Sequence, residues 1–174
     1  MGLADDLGYR LKPANPLQRL VQGFASTRPG AWFFSRTLHH VDDLVVRMSR
    51  GRTSVPELLA GVPVVDVTTT GRRSGLRRTT HLISVPVGDT LALLGTNFGQ
   101  SATPAWVLNL EADPHATVAL HGTTREVVAR PASESEFREV LANSAGVYAG
   151  YLKYQQRITD RRLRIFVLEP ADRA

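Results

Sequence analysis

The chain has 174 residues, 43% of them hydrophobic, so it can bury one sizeable core and is not a disordered polymer. It has no cysteine, which excludes disulfides and thiolate metal centres; no apolar run approaches a membrane span, and the start lacks the apolar segment of a signal peptide. A net charge of +5 and a pI near 10.2 favour acidic partners such as phosphates, polycarboxylates, nucleic acid or an anionic membrane surface.

Residues 1–13 carry little pattern and are expected to be poorly ordered. Asn15-Pro16 reads as an N-cap with proline at the first helical position, and Leu17, Leu20, Val21 and Phe24 follow at helical spacing on one face. Arg28-Pro29-Gly30 breaks that helix. A second helix is predicted from Ala31 to about Met48, with Phe34, Leu38, Val41, Val45 and Met48 as its apolar stripe. Amphipathic faces of this kind pack on a core or lie on a membrane, and packing is the commoner use. Ser54-Val55-Pro56-Glu57 matches a capping box and predicts a single helical turn before Gly61. These features divide the chain into a helical N-terminal extension, 1–60, and a second domain, 61–174.

Val62 to Val67 and Leu82 to Val85 are rich in β-branched residues and read as strands. Between them runs Thr68-Thr69-Thr70-Gly71-Arg72-Arg73-Ser74-Gly75-Leu76-Arg77-Arg78-Thr79-Thr80-His81, with four arginines and no acidic residue. Gly71 and Gly75 permit positive φ and close approach of the backbone to a ligand. Successive free N–H groups in such a turn would form a concavity for an anion, and arginine adds a fork that grips phosphate or carboxylate. Neither the P-loop spacing nor the dinucleotide fingerprint is present, so side chains and a β-turn, not a helix dipole, would hold the anion.

Gly88-Asp89 marks a turn into a third strand, Thr90 to Leu94. Asn97 to Ser101 reads as a polar loop, and Pro104 to Glu111 as a short helix stopped before Asp113-Pro114. A hairpin follows, roughly His115–Leu120 and Thr124–Arg130 about a turn at Gly122. Ser133-Glu134-Ser135-Glu136 is a capping box opening a further helix. Tyr148, Tyr151 and Tyr154 recur every third residue, so on one helix their rings would span one broad face. Gly150 among them weakens a helix, and close approach of a ligand is one reason to find it there. Arg164 to Leu168 is a last strand. About six strands, largely hairpin-connected, with helices around them, give an α+β fold: a small antiparallel barrel.

The order Thr-Thr-Gly-Arg-Arg-Ser-Gly (69–75), Arg78, Gly95-Thr96-Asn97, Pro104-Ala105-Trp106 with Asn109-Leu110, Asp113-Pro114, the three tyrosines and Leu168-Glu169-Pro170 resembles the deazaflavin-dependent nitroreductase family over residues 62–170. The resemblance implies a split β-barrel and coenzyme F420, a deazaflavin carrying a phosphate and an oligoglutamate tail, as hydride donor to quinones, nitro compounds or other activated acceptors. It puts Arg72, Arg73 and Ser74 near the phosphate or tail, and continues the cradle through Arg78, Thr79, Thr80, His81, Leu82 and Ile83. Leu94, Gly95, Thr96 and Asn97 would run under the ring, and Ala105, Trp106, Val107, Leu108 and Asn109 would form a further wall. Tyr151 would sit at the reaction face as both cofactor contact and catalytic candidate, with Tyr148, Tyr154 and Thr96 as the other catalytic candidates. The chain departs from the family at His81, where proline is common, at Ile83, where an aromatic is frequent, and at Thr96, where nitroreductase members have serine.

The rival readings are an FMN-using barrel and a non-catalytic cofactor carrier. A nucleic-acid module would interleave aromatic and basic residues, and here they lie apart, so no nucleic-acid partner is expected. His39-His40 diverge on a helix and lack a third ligand, so no metal site is expected. Asp66, inside a strand, could pair with one of the clamp arginines. The expectation is a cytoplasmic oxidoreductase, monomer or dimer, with a small hydrophobic acceptor and with peripheral membrane contact through the N-terminal helices as an alternative placement.

Overall fold

The structure, a computed structural model, describes residues 2–11, 15–27, 29–30, 61–148 and 150–173. The helix predicted over 31–48 and the turn after Ser54 lie outside the described residues. Six antiparallel strands close a barrel in the order β1-β2-β3-β6-β5-β4. They are β1 (Val64–Thr70), β2 (Arg77–Val87), β3 (Thr90–Leu94), β4 (His115–Leu120), β5 (Thr123–Pro131) and β6 (Ile165–Pro170). Helices α1 (Leu3–Asp6), α2 (Pro16–Ala25), α3 (Ala105–Ala112), α4 (Glu134–Val147) and α5 (Gly150–Arg157) surround it. This is the six-stranded barrel the sequence predicts.

Alternation along each strand sorts the core into two layers. Val65, Val67, Leu91, Leu93, Val118, Leu120, Val127, Ala129, Phe166 and Leu168 come from strands all round the barrel and fill its interior. The alternate positions Val64, Val85, Val87, Ala92, Leu94, Ile165 and Val167 face outward and meet Val140, Val147 and the three tyrosines of the α4–α5 region. Each fully buried aliphatic side chain of this kind contributes roughly 1.5–3 kcal/mol.

The chain's start differs from expectation. Leu3 and Leu7, four residues apart, are buried with Tyr9 in the barrel interior beside Trp106, Val107 and Leu110 of α3. One leucine on a four-residue helix, its C-cap and a tyrosine beyond it are too brief a pattern to stand out in a sequence, yet all three are buried.

β2 carries the architecture's main irregularity. It pairs with β1 through Ile83 and with β3 from Ser84 onward. At that change of partner two tyrosine hydroxyls bond adjacent carbonyls: Tyr151 donates to Ile83 O at 2.8 Å and Tyr9 to Ser84 O at 2.8 Å. Burial pushes the Tyr9 phenol up to about 12.

The caps predicted at Asn15 and Ser133 form. Asn15 Oδ1 accepts from Gln18 N while Gln18 reaches back to Asn15 N, and Ser133 with Glu136 makes the same reciprocal pair at the start of α4. Arg130 ties three elements together by bonding Glu136 of α4 and Glu169 of β6, both at 2.6 Å.

Candidate functional site

A cavity of about 480 Å³ opens on the outer side of β1 and β2, where the end of β3, the start of α3, α5 and α2 converge. That volume lies within the range of small-molecule and cofactor sites. Its lining is largely apolar: Val62 and Val64, Leu82 and Ile83, Leu94, Ala105 and Trp106, and Val21 and Ala25 of α2. Thr80, His81, Thr96, Asn97 and Thr103 are its polar residues, and the three tyrosines complete the lining.

The tyrosines do not share one helix. Tyr148 caps the end of α4 in an extended conformation, φ −150° and ψ 110°, while Tyr151 and Tyr154 lie on α5. They still converge, because the chain folds back between the helices: the Tyr148 ring centroid is 5.7 Å from that of Tyr151 and 5.9 Å from that of Tyr154. Gly150 permits this. A β-carbon there would lie 2.2 Å from the Tyr148 ring, so the packing of that ring requires glycine.

All three hydroxyl protons are committed. Tyr154 donates to Ala25 O at 2.9 Å, so in the 3.1 Å contact between Tyr148 and Tyr154 the donor is Tyr148. Tyr151 donates to Ile83 O. Burial raises the pKa of each, and the three phenols are protonated throughout the neutral range.

α5 also grips the end of α2. Lys153 Nζ bonds Ser26 Oγ at 2.9 Å and Arg157 donates to Ser26 O at 2.7 Å, two cations at the negative end of a helix. Of the stripe predicted on α2, only Val21 reaches the cavity; Leu17, Leu20 and Phe24 are exposed among the described residues.

β2 runs from the cavity wall outward to the arginine turn. Arg72, Arg73, Ser74, Arg78 and Thr79 are exposed at that tip. The turn's amides do not form the expected concavity. Gly71 N bonds Leu76 O, Ser74 N and Gly75 N bond Gly71 O, Arg72 N bonds Asn109 Oδ1 and Leu76 N bonds Ser74 Oγ. With those donors used internally, an anion is left to the side chains and the single Arg73 amide. Gly75 does take positive φ, 68°, but Gly71 does not; a β-carbon on Gly71 would crowd Ser74 Oγ at 2.8 Å.

Arg77 donates to Thr117 Oγ1 at 3.2 Å. Among the described residues the guanidinium groups of Arg72, Arg73 and Arg78 have no hydrogen-bond or ion-pair partner. Asp66 pairs with no clamp arginine: its Oδ1 lies 2.6 Å from Nδ1 of His81, its cross-strand neighbour.

The remaining predicted cofactor residues stand behind the wall. Asn109 is buried and joins α3 to the turn, its Nδ2 donating to Thr69 Oγ1 at 3.0 Å while its Oδ1 takes the Arg72 amide. Val107 belongs to the barrel interior, and Leu108 is half-buried beside it. Gly95 is small for packing: a β-carbon would meet Val107 Cγ2 at 2.9 Å. Of the cavity's lining, sequence reasoning passed over Val21, Ala25, Val62, Val64, Phe98, Thr103 and Pro104. Phe98 left the clearest trace, an aromatic within an otherwise polar loop.

The barrel, the cavity and the uncommitted cations bear on what the chain is similar to. The family model for F420H(2)-dependent quinone reductases matches residues 40–170. The chain belongs to that family. An F420-H2 dependent reductase (FDR-A) of known structure is 29% identical, with a TM-score of 0.56, over 62% of this chain and 94% of its own. A second solved structure, described as a domain-swapped dimer, is 25% identical with a TM-score of 0.58, over 75% and 98% of the two chains. The agrobacterial protein Atu2129, of unknown function, is 16% identical with a TM-score of 0.50 and shares the fold alone. The protein is thus an F420-dependent oxidoreductase with a split-barrel fold. Its residues fit the cofactor, since an apolar cavity suits a flat deazaflavin and three uncommitted guanidinium groups suit a polyanionic tail. No helix among the described residues is long and apolar enough to cross a membrane.

Proposed function

We propose that the cavity takes the deazaflavin of coenzyme F420 and that Arg72, Arg73 and Arg78 hold its charged tail. Hydride passes from the reduced cofactor to a hydrophobic, electron-poor acceptor: a quinone, a nitro compound or an enone. The observation that carries this reading is the continuity of β2. Thr80 to Ile83 line the cavity, and Arg78 lies only two residues beyond Thr80, roughly 7 Å at a strand's rise per residue. One strand therefore links an apolar pocket to a cationic tip.

The reduced deazaflavin supplies the hydride when bound. The chain's own residues do the rest. Ile83, Leu94, Ala105 and Trp106 exclude water from the ring. Thr96, buried and lining the cavity, is fixed by its amide on Leu94 O and by Arg161 Nη2 on its carbonyl, both near 3 Å. The tyrosines are protonated and so act as donors rather than bases. For Tyr151 to serve an oxyanion on the reduced acceptor, its hydroxyl must leave the Ile83 carbonyl, exchanging a neutral hydrogen bond for a stronger charge-assisted one. Tyr148 and Tyr154 support the ring wall from behind.

The test is calorimetric titration with F420 and with FMN, followed by oxidation of reduced F420 against quinones, nitro compounds and enones. Tighter binding of F420 and turnover with at least one class are expected. Equal or tighter FMN binding, or no turnover with any acceptor, overturns the reading.

A further inference from the structure

The loop after β3 holds an aromatic residue in a conformation aromatic residues avoid. Asn97, Phe98 and Gly99 have φ of 46°, 55° and 76°, three left-handed residues in succession, of which only the last is glycine. A bulky side chain in that region is disfavoured, and it persists only where the surroundings over-determine it.

Here they do. Arg161 brackets the loop, donating from Nη2 to Thr96 O at 3.0 Å and from Nε to Gln100 O at 3.3 Å. Asn97 Nδ2 bonds Ala102 O at 2.9 Å. Gly99 lies flat on α5, where a β-carbon would meet Arg157 Cδ at 3.0 Å and Tyr154 Cα at 3.3 Å.

The outcome of these tethers is the position of one ring. Phe98 lines the cavity and meets Tyr154 edge to face, centroids 6.0 Å apart at 65°. It packs from one side against the outer layer of the core but is only half-buried, so part of the ring stays open to the cavity. Strain maintained for a ring that the core does not enclose points to a ligand contact.

We propose that Phe98 is a specificity-determining residue for the acceptor, a platform that favours flat aromatic acceptors over small non-planar ones. This rests on the functional reading above. Offset stacking between aromatic rings corresponds to discrimination of roughly 3–10-fold.

The experiment compares Phe98→Gly and Phe98→Tyr with the wild type, using menadione as the planar acceptor and cyclohexenone as the small one. Phe98→Gly suits the left-handed backbone and removes the ring. It should lower the ratio of kcat/KM for menadione over cyclohexenone by about 3–10-fold, with a melting temperature equal to or above wild type. Phe98→Tyr should restore the ratio. Menadione binding to the cofactor-free protein, read by quenching of tryptophan fluorescence, should weaken in Phe98→Gly by a similar factor. An unchanged ratio together with unchanged menadione binding overturns the proposal, as does a lower melting temperature with an unchanged ratio, which makes Phe98 a packing residue. If the wild type oxidises reduced F420 with no acceptor, the functional reading fails. The fluorescence titration then still decides Phe98: equal binding in wild type and Phe98→Gly sinks it.

Discussion

The tyrosine wall and the arginine turn are built on opposite rules. In the wall every hydroxyl is buried and has a protein acceptor within about 3 Å. At the turn most backbone amides are engaged, while the guanidinium groups of Arg72, Arg73 and Arg78 extend into solvent with no protein partner among the described residues. The difference matches two ligand chemistries. A flat, weakly polar ring is recognised by shape, which needs fixed walls. A flexible polyanion has no fixed shape, and long cationic side chains on a rigid turn can follow it.

The largest effect should come from breaking the wall. Tyr151→Phe keeps the ring and deletes the hydroxyl. With that donor gone, single-turnover oxidation of bound reduced cofactor should slow roughly 10–1,000-fold, about 1.4–4 kcal/mol, while F420 affinity barely changes. A wild-type rate with several acceptors would leave the hydroxyl only its bond to Ile83, and a stability loss of about 1 kcal/mol would then be the whole effect.

Breaking the turn should do the reverse. Arg73→Ala and Arg78→Ala should each weaken F420 binding by about 1.5–3 kcal/mol at low salt, the scale of a hydrogen bond to a charged group, with turnover at saturation nearly intact. The losses should shrink for a cofactor analogue lacking the glutamate tail if the residue contacts the tail. Unaltered dissociation constants in both variants would make the turn a solvated basic tip.

Much of this was legible in the sequence, and the exceptions have physical causes. The strands were readable because alternation and the turn residues Gly88-Asp89 and Gly122 act locally. The N-cap at Asn15 and the capping box at Ser133 were readable for the same reason. Tyr148 was misread as helical because periodicity cannot show that the chain leaves α4 at that residue and turns back. The expected N–H concavity failed because acceptors within the turn take four of its amides and Asn109, far away in sequence, takes a fifth. Phe98 left a trace as an aromatic in a polar loop, but its left-handed conformation has no local signature, since Arg161, distant along the chain, tethers the loop.

Arg130 sharpens the comparison as an arginine whose charges are spoken for. Its hydrogen bonds to Glu136 and Glu169 raise its own pKa and pull the Glu136 carboxyl down to about 2. Arg130→Met should therefore leave F420 binding untouched and lower stability by about 1–2 kcal/mol, the pair being partly solvated. The sign of the pH dependence follows. A carboxyl depressed in the folded state contributes stability above its unfolded pKa of about 4.5, and that stability is lost as pH falls toward about 2. Denaturant melts at pH 7 and pH 3 should show the wild type losing more stability than Glu136→Gln. Equal losses would mean that the pair contributes nothing.

The smallest effect, and the one that separates the two regions most cleanly, is that of salt. Exposed guanidinium groups meeting a polyanion across solvent are screened over a Debye length of about 10 Å at 0.1 M, whereas contacts inside an apolar cavity are not. Raising the salt from about 0.05 to 0.3 M should raise the F420 dissociation constant severalfold and leave the KM for a neutral quinone within about twofold. The same titration on Arg73→Ala should give a shallower dependence, since one of the screened charges is gone. Arg130→Met should keep the wild-type slope, because its charge faces Glu136 and Glu169 rather than a ligand. A cofactor affinity indifferent to salt would place the tail's recognition in the buried wall and reverse the assignment of roles to the two regions.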